Sequence, residues 1–67
     1  MDDSSMRKLG LITAALMRMN EGQKVVHDHD EVFSIQDQQG NVLITGSLDR
    51  LLVNVKERQK NLRKNSD

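Results

Sequence analysis

Apolar residues recur at every third or fourth position near the start of the chain, which is the spacing of one face of an α-helix. These residues are Met6, Leu9, Ile12, Leu16 and Met19. Oxygens of the side chains at positions 3–5 can cap the first turn, and residues 20–22 favour a left-handed stop. The pattern therefore predicts a first helix over about 5–20. Leu11, Ala15 and Met17 lie off this face, so the helix has more apolar surface than one packing partner covers.

Short runs of β-branched residues follow the first helix. Val25 and Val26 predict a first strand, and the charged residues 27–31 predict the turn after it. Residues 32–37 and 41–45 predict the two arms of a β-hairpin, and whether the first strand joins that hairpin is left open. The strand order also remains open.

The turn of the hairpin carries the clearest local signal in the chain. Residues 37–41 fit a type I turn followed by a bulge, in which Gly40 takes a positive φ. The alternation in the arms predicts which residues face the helices. They are Phe33, Ile35, Val42 and Ile44.

A second helix is predicted after Gly46, which ends the strand, and Ser47, which can cap the helix. Its apolar spacing runs through Leu48, Leu51, Leu52, Val55 and Leu62. The predicted fold is α+β: one small domain over residues 1–67, ordered α-β-β-β-α, with a short antiparallel sheet and both helices packed on one face. We expect residues 1–4 and 65–67 to fray.

The composition predicts a thin core. The chain has 67 residues, of which 36% are hydrophobic, and Phe33 is its one aromatic residue. A chain of this length buries only about 60% of its unfolded surface. Without cysteine it has no disulfide to compensate, and cysteine-ligated metal sites and thiol nucleophiles are excluded. These facts exclude a multi-domain enzyme and favour self-association.

Charge gives no general attraction to nucleic acid or membranes, because ten Lys and Arg balance ten Asp and Glu. The longest weakly polar stretch, 9–17, is far shorter than the roughly 20 apolar residues of a membrane span. The chain opens with acidic rather than basic residues, which is unlike a secretory signal. We therefore expect no membrane association and a cytoplasmic location.

Possible metal ligands are concentrated in one place, the run His27, Asp28, His29, Asp30 and Glu31. On a strand His27, His29 and Glu31 would share a face, and their nitrogen and oxygen atoms would suit Zn²⁺, Ni²⁺ or Cu²⁺. No further His or Cys completes a tetrahedral set. A solvated turn is the favoured interpretation, and we predict no metal and no cofactor.

Enzymatic function has little support in the sequence. Ser34 and Ser47 fit a strand and a helix cap, and no elbow motif surrounds either of them. The four glycines do not match a phosphate-binding loop. A chain this short rarely has room for a concave site of a few hundred Å³. We expect that the protein is not an enzyme, the alternative being a metal-dependent or hydrolytic site at His27 and His29.

The end of the second helix is basic and provides the alternative function, nucleic-acid binding. Lys56, Lys60, Arg63 and Lys64 lie close to one side of the helix and could follow phosphates. Cations at a helix C-terminus also suit its dipole without any partner, and this is the favoured interpretation. The order helix, three strands, helix resembles the double-stranded RNA-binding domain. That family begins its second helix with phosphate-gripping lysines, whereas residues 47–52 here offer only Arg50 beside Asp49, so the resemblance is one of topology.

Surplus apolar surface predicts a protein interface. Methionine side chains are flexible and adapt to varied partner surfaces, although any single Met can also be a filler of the core. The predicted interface residues are Leu11, Met17, Met19 and Val53. We expect a small regulatory or accessory protein that binds another protein and forms a homodimer. Compact accessory proteins of bacteria and phages often have this size and composition.

Overall fold

The computed structural model describes the backbone of residues 2–65 and the side chains of residues 2–61. Its elements are α1 (Asp3–Met19), β1 (Lys24–His29), β2 (Val32–Gln36), β3 (Val42–Gly46) and α2 (Leu48–Asn65). The predicted α+β fold and the order α-β-β-β-α are confirmed. Of the residues expected to fray, 3, 4 and 65 are helical and Asp2 caps α1. The same expectation for residues 1, 66 and 67 lies outside the described residues.

Helix α1 begins two residues before the predicted start because Asp2 caps it. The Asp2 carboxylate accepts the backbone N–H of Ser5 at 2.8 Å, which satisfies one of the free donors of the first turn. The helix ends as predicted, since Asn20 adopts the left-handed conformation with φ 52° and its N–H bonds to carbonyls of the last turn. Both helix ends are therefore capped by residues directly beside them in the sequence.

The sheet has the order β1-β2-β3, and both neighbouring pairs are antiparallel. The first strand thus joins the hairpin. Val25, Ile35 and Ile44 lie opposite one another across the three strands, and all three pack in or against the core. Strands β1 and β3 form the two edges, and β3 contains no charged residue.

Strand β1 is longer than predicted. His27, Asp28 and His29 belong to the strand, and the predicted charged turn shrinks to Asp30, which has φ 45°, and Glu31. A bulge between His27 and His29 lets the strand continue to pair while it adds one residue. The His27 ring also stacks on the ring of Phe33 at 4.5 Å between centroids. Backbone pairing and this stack outweigh the turn propensity of the charged residues.

The hairpin turn is confirmed, but one residue of its second arm faces the other way. Gly40 has φ 86°, and its N–H bonds to the carbonyl of Asp37 at 3.1 Å. A register shift between Ile35 and Gln36 places Val42 opposite Gln36. Val42, predicted to face the helices, is therefore exposed.

Both helices pack on the same face of the sheet and share one core. Its buried residues are Ile12, Ala15, Leu16, Phe33, Ile35, Leu48, Leu51 and Val55. Ala15, which lies off the predicted apolar face, is buried because α2 packs beside α1. Lys8, two helical turns before Ala15 on the same side, bonds to Asp49 of α2 at 2.8 Å. The core side of α1 is therefore rotated away from Met6, which is exposed.

Candidate functional site

The two most exposed large apolar residues of α1, Met6 and Met17, lie on one side of the helix, in a set that we call the methionine stripe. Its members are Met6, Gly10, Thr13, Ala14 and Met17. With Leu9 they line a shallow open groove of about 610 Å³. Met17 is 74% exposed and Met6 is 58% exposed. The stripe is an apolar surface that the described part of the chain leaves uncovered.

Met6 was not among the predicted interface residues, although the sequence holds a signal that points to it. Met6 and Met17 are 11 residues apart, which is close to three turns at about 3.6 residues per turn. Two residues at that spacing share a side of a helix. The exposure of Met17 therefore implies exposure of Met6, once the core is known to lie on the side of Ile12 and Ala15.

The four predicted interface residues do not form one surface. Leu11 is 50% exposed and Val53 on α2 is 55% exposed. Leu11 lies about 120° around α1 from Met17, because six residues turn an α-helix through about 600°. Met19 is partly buried and packs against the core. Of the four, Met17 alone belongs to the methionine stripe.

The basic residues of α2 are only partly described. Lys56 and Lys60 are exposed, and their spacing of four residues puts them on one side of the helix. Arg63 and Lys64 lie where side chains are outside the described residues. Arg58, in contrast, turns toward the body of the domain and bonds to Glu21 and Gln23. Of the four predicted phosphate-binding residues, the described side chains are therefore Lys56 and Lys60.

A polar cleft of about 410 Å³ opens where the N-terminal ends of both helices meet the β1–β2 turn. A concavity of this size is present although a chain this short rarely has room for one. Its polar groups bond to one another: Lys8 Nζ lies 2.8 Å from Asp49, and His27 Nε2 lies 2.7 Å from the carbonyl oxygen of Asp30. Asp2 caps α1 from the rim of the same cleft.

Two titratable groups of this cleft, Lys8 and Asp2, have pKa values shifted away from neutral pH. The hydrogen bond and the charge of Asp49 raise the pKa of Lys8 above its ordinary range. The backbone N–H of Ser5 lowers the pKa of Asp2. A general acid or base works best with a pKa near the operating pH. Neither group is set for acid–base chemistry near neutrality.

The two histidines are separated by the bulge in β1. His27 stacks on Phe33, whereas His29 lies beyond the irregularity and opposite Val32. The predicted shared face of His27, His29 and Glu31 does not form, because Glu31 lies in the turn after the strand. Within the described residues there is no group of three or more His, Asp or Glu side chains that could hold a metal ion.

The sheet face opposite the helices carries a polar network rather than apolar residues alone. Ser34 is buried, and its hydroxyl donates to the carboxylate of Asp28. The hydroxyl of Thr45 lies 3.1 Å from that of Ser34 and 3.2 Å from the carbonyl oxygen of Phe33. Ser34 is a structural residue of β2, as its place in the sequence predicts, and Ser47 is a cap that accepts the N–H of Arg50 at 3.2 Å.

Helices long and apolar enough to cross a membrane are absent from the described residues. Comparison of the chain with protein-family models, with curated proteins and with solved structures finds no match.

Proposed function

We propose that this protein is a small non-enzymatic regulatory or accessory module of the cytoplasm that acts through protein–protein interaction and works as a homodimer. The methionine stripe carries this proposal, because it presents two large apolar side chains on one side of a helix. Flexible thioether side chains adapt to partner surfaces better than branched ones do. The lack of cysteine suits a reducing compartment.

Energetics favour a partner for this surface. Full burial of a Met side chain contributes about 1.5–3 kcal/mol, and the stripe offers two such side chains that are more than half exposed. A single core in a chain this short rarely supplies more than about 3–5 kcal/mol. Association that removes Met6 and Met17 from water would therefore stabilise the fold appreciably by mass action.

The polar cleft supports the non-enzymatic part of the proposal. Lys8, Asp2 and His27 each bond to another group of the fold. The shifted groups, Lys8 and Asp2, titrate further from neutral pH than usual. These side chains hold the ends of the helices and the β1–β2 turn together, which is a structural role.

Nucleic-acid binding is the second candidate function, favoured by the exposure of Lys56 and Lys60 on one side of α2. Each phosphate contact would release counterions, so binding would weaken steeply with salt. Phe33, which could otherwise stack on a base, is buried in the core. For these reasons we place this function after protein binding.

The test is the mass of the full chain in solution, measured by light scattering at low and high salt, with and without a random nucleic-acid duplex. Refractive-index detection is required because the chain has neither Trp nor Tyr. We expect twice the chain mass at both salt concentrations, with no change on adding the duplex. A complex with the duplex at low salt that is lost on replacing Lys56 and Lys60 with Glu would favour the second function instead.

Three exposed positions locate the interface by substitution. We expect Met17→Asp to shift the protein toward the monomer, because a charge would be buried without a partner. Leu11→Asp and Val53→Asp introduce the same charge at two positions outside the methionine stripe that are 50% and 55% exposed. Unchanged mass in all three variants would show that the exposed residues of the helices do not form the interface.

A further inference from the structure

We draw no further inference here: the strongest candidate, the shallow apolar groove of the methionine stripe on the exposed side of α1, carries nothing further because nothing in the structure shows what covers it.

Discussion

Arg58 of α2 reaches across to Glu21 in the connection between α1 and β1, with Nη2 3.1 Å from Oε2 of the carboxylate. The same nitrogen lies 2.8 Å from Oε1 of Gln23. The pair is 37 residues apart in sequence. It ties the second half of α2 to the region where the chain leaves α1, beyond Val55, the last buried residue among the described side chains of the helix.

Replacing Arg58 with Met should lower the free energy of unfolding by about 0.5–1.5 kcal/mol, which is the usual range for such partly exposed hydrogen-bonded ion pairs. The measurement is urea unfolding followed by circular dichroism at 222 nm. Lys56→Met is the matched control, because Lys56 is exposed on the same helix, and we expect a change within about 0.5 kcal/mol there. Equal effects of the two substitutions would show that the Glu21 contact adds no stability.

Acid should weaken the hairpin turn through Asp37. Its carboxylate accepts the backbone N–H groups of Asn41 and Gln39, each at 2.9 Å. The N–H of Asn41 is the largest cause of a lowered pKa for Asp37. Because the pKa is lower in the folded state, the contribution to stability is present above the ordinary Asp pKa of about 3.9 and is lost as the pH falls through the folded value.

Asp37→Asn keeps an acceptor oxygen but removes the titration. We therefore expect the variant to lose less stability than the parent between about pH 4 and pH 2, measured as the urea midpoint at each pH. Asp30→Asn, in the exposed β1–β2 turn, is the control for a general loss of negative charge. Parallel curves for the parent and Asp37→Asn would contradict the role of Asp37.

Substitution of Leu51 and of Leu11 by alanine compares the loss of stability at a buried and at an exposed position. Leu51 is fully buried, whereas Leu11 is half exposed. Leu51→Ala should cost about 2–5 kcal/mol, enough to unfold much of a domain of this size at 25 °C. Leu11→Ala should change stability by less than about 1 kcal/mol, since it removes little buried surface and alanine favours the helix. Thermal unfolding followed by circular dichroism would rank the two, and similar melting temperatures would contradict the placement of the core.

Two substitutions at Gly10 distinguish an effect on the stability of the single chain from an effect on its association. Gly10→Ala should raise the stability of the single chain by about 0.5–1 kcal/mol, because the added Cβ meets open space and restricts the unfolded chain. Gly10→Leu should fill the groove of the methionine stripe with a large side chain and weaken homodimerisation through that groove at least about tenfold in sedimentation equilibrium. If Gly10→Leu associates as tightly as the parent, the groove of the stripe is not part of the interface.

Local signals in the sequence predict most of the fold, because each acts within a few residues. Gly40 and Asp37 define the hairpin turn, Ser47 caps α2, and Asn20 ends α1. The apolar periodicity then defines the faces that pack. These signals are sufficient for the element order and for the placement of both helices on one face of the sheet.

Other features depend on contacts between distant elements, and the sequence alone does not predict them. The side of α1 that faces the core is decided by α2, which buries Ala15 and leaves Met6 outside. Val42 is exposed because the register of β3 against β2 shifts by one residue. Such a shift turns side chains to the other face of a sheet. The alternation of apolar and polar residues within the strand does not predict it.

The two edges of the sheet differ chemically, and this difference makes growth of the sheet directional. Edge β1 carries Lys24, Asp28 and two histidines, which discourage a further strand. Edge β3 is uncharged and displays Val42 and Leu43. At high concentration, or when the protein is partly unfolded, we therefore expect intermolecular strand pairing to begin at β3. The fraction of aggregated protein in a stock solution would then depend on this edge more than on the packing of the core.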